Sequence, residues 1–320
     1  MIDCHAHAFP TVGDALGGLS PRAASVAHDF AASCKRRIPA SIGNGLARAL
    51  NHAVFDVEKV ALIRQTGAGR RLEPALALGL LPQMIGTSSI AHLLSSMDRH
   101  GIEKTVLIAA EPISSNAWIL SQARAHEGKF VPVVNVPRLK GNPAEAQWSD
   151  ALEGLARAGA RGFKLHLNAD GLGHQHVAYR LAFEVAATHD LFVIVHTGCF
   201  HAVGYYKSLE PAEPALFAPL FEQFPRVRVC LAHMNRDEPE RAWAVQRQHD
   251  QVWSDTSWQP RDTVRRAVKE VGAERVLLGS DWPLLHPDLQ GDVVAILRAA
   301  VNADDVGRIG DKNARAFLGD

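Results

Sequence analysis

From residue 88 onward the sequence alternates regularly between short apolar runs and longer amphipathic stretches. The runs are KTVLIAA (104–110), FVPVVNV (130–136), ARGFKLHL (160–167), LFVIVHTG (191–198), VRVCLAHM (227–234), QVWSDTS (251–257) and RVLLGSDWP (275–283). Stretches such as NAWILSQARAHEG, AYRLAFEVAATHD and RDTVRRAVKEVG lie between them and read as helices. Ser88 and Ser89 supply capping hydroxyls for a helix through Arg99, and Gly101 stops it. The opening MIDCHAH brings the strand-like runs to eight. Runs that stay apolar at consecutive positions suit strands buried on both faces, the condition of a parallel sheet. Eight β/α units predict an α/β fold of the (β/α)8 TIM-barrel type. A doubly wound open sheet is the alternative, but it calls for a glycine-rich turn after the first strand, which this sequence lacks. With 47% hydrophobic residues the chain can fill one such core, so residues 1–320 read as a single domain.

One interval breaks the rhythm. Residues 9–87 separate the first strand from the second unit, where one helix would suffice. The stretch GLARALNHAVFDVEKVALIRQ has helical spacing of apolar residues. An insertion after strand 1 sits above the C-terminal mouth of a barrel, so a helical cap over the site is expected. Its CKRR run (34–37), Arg64 and Arg70 are candidates to hold a substrate carboxylate.

Charge excludes some partners. The 34 Lys and Arg balance the 34 Asp and Glu, which leaves no basic footprint for nucleic acid or an anionic membrane. The four cysteines are widely spaced without a C-x-x-C pair, which fits a reducing compartment. No secretory signal or transmembrane run is legible after Met1, so a cytoplasmic protein is expected. The expected partners are a small-molecule substrate and, as one option, a second copy of the chain in a homodimer.

The 16 histidines invite a search for metal ligands. On a strand, Asp3, His5 and His7 share one face and Ile2, Cys4 and Ala6 the other, so both imidazoles can converge on one ion. The apolar runs also end in Lys164 and His166 (strand 4), His196 (strand 5), His233 (strand 6) and Asp281 (strand 8). One such histidine is ordinarily a satisfied structural residue. Several strands placing one at the end where barrel enzymes keep their catalytic groups point to a metal site.

The pieces IDCHAH, GFKLH, VIVHTG, CLAHMN, LLGSDWP and IGDKNARAFLG, in that order, resemble the amidohydrolase superfamily. The resemblance is specifically to its amidohydrolase-2 group, which includes aminocarboxymuconate-semialdehyde decarboxylase and lactone or meta-cleavage-product hydrolases. It implies a barrel with one Zn²⁺, or another divalent ion such as Mn²⁺, per chain. His5, His7 and His196 match the ligands, Asp281 a ligand or the acceptor of a water proton, and His233 the acid/base. Some decarboxylase relatives carry an acid in place of the first histidine of H-x-H. Because this chain keeps both, metal-dependent hydrolysis of an ester, lactone, amide or vinylogous C–C bond is the first expectation. Non-oxidative decarboxylation of an aromatic or muconate-type acid is the second. Near neutrality His233 is expected to carry protons. His166, Lys164, Trp282, His201 and Tyr205 are expected on the substrate side, with Tyr206 and His286 as weaker candidates. Lys164 is expected one layer deeper than His166 and unmodified.

Overall fold

In the computed structural model the protein is described over residues 1–10, 57–58, 88–198, 212–284 and 288–320. Eight strands form one sheet in sequence order: β1 (Ile2–Ala6), β2 (Lys104–Ile108), β3 (Phe130–Asn135), β4 (Gly162–Leu165), β5 (Phe192–His196), β6 (Val229–Ala232), β7 (Val252–Asp255) and β8 (Val276–Leu277). Each consecutive pair is parallel. The seam between β8 and β1 is drawn shut by bonds from Cys4 N to Leu278 O (2.7 Å), Asp281 N to His5 O (2.7 Å) and His7 N to Trp282 O (2.7 Å). Asp3 reinforces it by accepting from Ser280 N (3.0 Å), Ser280 Oγ (2.6 Å) and Gln290 Nε2 (2.8 Å). The expected TIM barrel is the fold observed.

Helices follow the strands as the amphipathic spacing predicts. Ile90–His100 is capped by the Ser89 side chain and ends at Gly101, whose φ of 68° is the left-handed turn that glycine adopts freely. Two apolar clusters cement helices to the sheet, one around β1, β2 and β8 and the other around β3 to β7. A third fills the barrel interior with Ile2, Cys4, Val106, Val131, Ile194, Cys230 and Leu277, and the C-terminal helix Asn313–Leu318 joins it. There Phe317 packs on Phe192 (4.7 Å between ring centroids) and Trp253 (5.6 Å). The chain's end therefore plugs the interior on the side away from the histidines, which leaves the opposite mouth for chemistry.

Two sequence expectations are modified. The face-sharing of Asp3, His5 and His7 does not survive intact, because the β1–β2 register slips between Asp3 and Ala6. Such a bulge re-aims side chains: Asp3 turns to Gln290 on the helix Leu289–Ala300, while His5 and His7 turn to Asp281. Strand 8 is only Val276–Leu277, since beyond it the chain bends to deliver Asp281.

The 9–87 insertion lies almost wholly outside the described residues. Of it, Val57 is buried in the cluster around β1, β2 and β8, and Glu58 Oε1 accepts from Arg261 N (2.7 Å) at the start of the helix Arg261–Val271. Among the described residues no helix is long and apolar enough to cross a membrane.

Candidate metal centre

The C-terminal ends of β1 and β8 bring three side chains to one point. His5 Nε2 lies 3.3 Å and His7 Nε2 3.2 Å from Asp281 Oδ1. His5 and Asp281 are buried and His7 nearly so. Neither contact is a hydrogen bond: Asp281 Oδ1 is buried with no donor directed at it. Three lone-pair atoms held this close without protons between them would repel one another. A cation removes that cost, and donors ~2.0–2.1 Å from a tetrahedral ion stand about 3.3 Å apart. The trio therefore fits a divalent metal.

The far side of each imidazole fixes which nitrogen is available. His7 Nδ1–H donates to Ile108 O (3.0 Å), and His5 Nδ1–H donates to Asp255 Oδ2 (2.8 Å). Both rings thus turn Nε2 toward Asp281, the arrangement by which metal-bound histidines are usually oriented, and His5 Nε2 also lies 3.3 Å from Lys164 Nζ. Burial, followed by the Lys164 charge, holds His5 below its usual pKa and keeps it neutral. Burial alone would raise the Asp281 carboxyl. The adjoining His5 and His7 rings and the Trp258 N–H outweigh it and hold the group below its usual value. Imidazole nitrogens beside an ionised carboxylate are a donor set that suits a divalent cation.

Asp255, at the end of β7, links this trio to His233. Its Oδ1 accepts from His233 N (3.2 Å), Ser257 N (3.0 Å) and Ser257 Oγ. With its proton committed to the carboxylate, Ser257 Oγ accepts from His233 Nδ1–H at 2.7 Å. His233 therefore turns its Nε2 away from this chain of bonds, and its ring lies 4.7 Å from that of His5. Burial would raise the Asp255 carboxyl, but the His5 ring bonded to it, with Ser257 and Lys164, holds it below its usual value. Gly279 makes room: a Cβ there would stand 2.8 Å from Asp255 Cβ. The group His5, His233 and Asp255 also has metal-ligand proximity. Its close contacts are hydrogen bonds, so the trio with Asp281 is the better ligand set.

His233 does not keep the near-neutral titration expected of its residue type. Burial, with His5, His196 and Lys164 nearby, pushes its pKa well below the usual value. At neutral pH it is a base in its neutral form rather than a ready acid.

The other expected site residues are placed as follows. His196 ends β5; its ring stacks on His166 (3.8 Å, 11°) and meets His233 edge-on at 5.0 Å. It adjoins the trio, but its ring nitrogens do not join the atoms gathered at Asp281 Oδ1. His166 lies just past β4 as the cap of the short helix Leu167–Asp170, and its Nδ1 accepts from Ala169 N (3.3 Å). Lys164 is buried with Nζ 3.3 Å from His5 Nε2, a candidate ligand atom. Trp282 is fully buried in the apolar cluster around β1, β2 and β8, so its ring belongs to the core packing and not to the converging polar groups. His201, Tyr205, Tyr206 and His286 lie outside the described residues.

Sequence reasoning overlooked Asp255, Ser257, Trp258 and Arg236. Asp255 and Ser257 lie in QVWSDTS, a run read as a strand without weighing its polar end. The rule applied to the histidines, a polar side chain terminating an apolar barrel strand, would have found Asp255.

A barrel whose strand ends gather imidazoles and carboxylates around one point is the architecture of a metal-dependent enzyme. The amidohydrolase family model matches residues 2–319, and the chain belongs to that family, the amidohydrolase-2 group, whose members are enzymes. Among solved structures it is similar to an uncharacterised TIM-barrel protein of Bordetella bronchiseptica (18% identity, TM-score 0.62, 78% of this chain and 92% of that one). It is also similar to 5-carboxyvanillate decarboxylase of Novosphingobium aromaticivorans, complexed with manganese and 4-hydroxy-3-methoxy-5-nitrobenzoic acid (13%, 0.56, 87% and 92%). A third similarity is to 4-oxalomesaconate hydratase of Rhodopseudomonas palustris (12%, 0.55, 100% and 95%). At these identities the likeness concerns the fold. No curated protein matches the chain.

Proposed function

We propose that this protein is a metal-dependent hydrolase that adds water to an ester, lactone, amide or vinylogous C–C bond of a small carboxylated substrate. The proposed cofactor is one Zn²⁺ or Mn²⁺ per chain, held by His5, His7 and Asp281, with His196 as the neighbouring candidate ligand. The observation that carries this reading is Asp281 Oδ1, buried without a hydrogen-bond donor and 3.2–3.3 Å from the Nε2 atoms of two histidines. An ion bound there supplies Lewis acidity, polarising a carbonyl and making water easier to deprotonate.

The chain's own residues supply the proton handling. Asp281, ionised and aimed into the site, can accept a proton from an attacking water. His233 carries its proton on Nδ1 toward Ser257 and so offers Nε2 as a base. A proton taken there can be returned to the leaving group. Asp255 stabilises the imidazolium that forms in between, through Ser257.

Decarboxylation of an aromatic or muconate-type acid is the second reading. The similar structure complexed with manganese is named a decarboxylase, and protonation of a carbon by His233 would use the same groups.

The test is turnover of a panel of lactones, esters, amides and carboxylated aromatics by metal-loaded protein in ¹⁸O-labelled water, with carbon dioxide monitored. Label in the product carboxylate without carbon dioxide supports hydrolysis, and release of carbon dioxide moves the assignment to the second reading. Full turnover after chelation would remove the metal from both.

A further inference from the structure

The turns that follow strands β6, β7 and β8 hold residues with left-handed backbones, which non-glycine residues adopt at a cost. They are His233, Met234, Asn235 and Arg236 (φ 64°, 44°, 58° and 48°), Trp258 (64°) and Asp281 (59°). Strain gathered at three adjacent strand ends needs a compensating purpose, and these turns bring three side chains into line. Arg236 Cζ lies 4.5 Å over the Trp258 ring, and Trp258 Nε1–H donates to Asp281 Oδ2 at 2.6 Å. The other carboxylate oxygen, Oδ1, faces His5 and His7. Gln259 ties the strained turn to this line by donating from Nε2 to His233 O (2.6 Å) and Arg236 O (3.0 Å).

The choice of donor matters. An aspartate rotates about its last side-chain bond and could present either oxygen, or share both, with a cation. An indole N–H donates only, so it does not compete with the carboxylate for a cation. Bonded to Oδ2, it commits that oxygen and leaves Oδ1 with its lone pairs toward the two imidazoles. Arg236, laid on the ring face, adds a cation–π contact that keeps the indole from swinging away.

We propose that Trp258 is a positioning residue of the metal centre: it fixes which Asp281 oxygen meets the ion, and Arg236 holds Trp258 in that orientation. The inference rests on the reading of His5, His7 and Asp281 as metal ligands.

The test measures Zn²⁺ affinity of the metal-free protein by competition with a chromophoric chelator, and the visible spectrum of the Co²⁺-loaded protein. Five proteins are compared: the parent, Asp281→Ala, Arg236→Met, Trp258→Phe, and protein carrying β-(3-benzothienyl)alanine at position 258. The last keeps the ring's shape and its face for Arg236 but has no N–H, so it carries the test if Trp258→Phe does not fold. Removal of a group that orients a ligand typically weakens metal binding about 10–100-fold. That loss, with a shifted Co²⁺ spectrum in both Trp258 replacements, is expected. Arg236→Met is expected to weaken binding in the same direction by a smaller factor. Parent-like affinity and spectrum in the benzothienyl protein, alongside lost binding in Asp281→Ala, would overturn the role of Trp258 and leave the metal site standing. Parent-like affinity in Asp281→Ala as well would overturn the metal-site reading and the inference with it.

Discussion

Asp255 and His5 lie on non-adjacent strands and meet at 2.8 Å, Oδ2 to Nδ1, with both side chains buried. The bond gives His5 its tautomer. Through its second oxygen the same carboxylate reaches His233 and Ser257, so one residue orients both a candidate ligand and the candidate base.

Asp255→Asn is accordingly expected to damage metal retention although Asp255 is not itself assigned as a ligand. An amide can accept from His5 Nδ1 only by turning its NH2 toward the three donors now converging on Oδ1. The alternative orientation sets NH2 against His5 Nδ1–H. Either way a buried bond becomes a clash of donors, and metal affinity should fall about 10–100-fold. Metal content after dialysis against a graded chelator buffer measures this, and unchanged retention would show that the His5 tautomer is set elsewhere.

Much of this arrangement could be read from the sequence because it depends on strand ends. His5, His7 and Asp281 close apolar runs, and a side chain at that point of a barrel strand faces the mouth whatever the helices do. His196 and His233 follow the same rule. Asp255 also obeys that rule, but in QVWSDTS the apolar run before it is short and interrupted by Ser254, which masks the strand end. Trp258 and Arg236 were out of reach for a different reason. Their positions follow from left-handed backbone at φ 64° and 48°, which residue type does not forecast for tryptophan or arginine. The bulge in β1 was equally hidden, since it arises from pairing with β2 and not from any local signal in IDCHA.

His233→Ala should retain its metal and lose turnover by about 10²–10⁴-fold, the range of a positioned acid or base. The ring is anchored at Ser257 through Nδ1. Ser257→Ala should give a smaller loss, because the ring stays in place while its orientation loosens. Metal analysis beside a rate assay separates the outcomes: a metal-free His233→Ala protein would make the residue a ligand.

Stability should carry the signature of Asp3. Burial pushes this carboxyl up to about 6 from an ordinary 3.8, even though Ser280, Gln290 and the His5 N–H all donate to it. Because its folded pKa is the higher one, the native state binds the extra proton between about pH 4 and 6. Stability from this group is therefore present at the acid end of that window and lost as pH rises through it, by up to roughly 3 kcal/mol. Asp3→Asn removes the titration. Gln290 Oε1, buried without a donor, can accept from the new amide, so the variant should fold. Urea unfolding of parent and variant at pH 4 and pH 7 should show the variant gaining relative stability at the higher pH. A constant difference across the window would mean that Asp3 titrates normally in the native state.

Lys164 decides the metal count. In a two-metal reading its amine, carrying a carboxyl group from carbon dioxide, would bridge the ions and be indispensable to both. The structure places Nζ 3.3 Å from His5 Nε2 in a fully buried position. Burial lowers its pKa, while Asp281 and Asp255 pull it back up. In either protonation state the amine is a competitor for the His5 lone pair and, when charged, a neighbour that repels a dication. The second cluster that could take an ion, His5, His233 and Asp255, has its closest atoms committed to hydrogen bonds. One metal per chain and an unmodified lysine are therefore expected. Lys164→Met should keep a stoichiometry of one and bind Zn²⁺ at least as tightly as the parent, since it removes the competitor and leaves His5, His7 and Asp281 untouched. Elemental analysis and intact mass of the parent, followed by chelator competition on the variant, test each part. Two metals in the parent, a carboxylated lysine, or collapse of binding in Lys164→Met would each assign the residue to a bridge between ions.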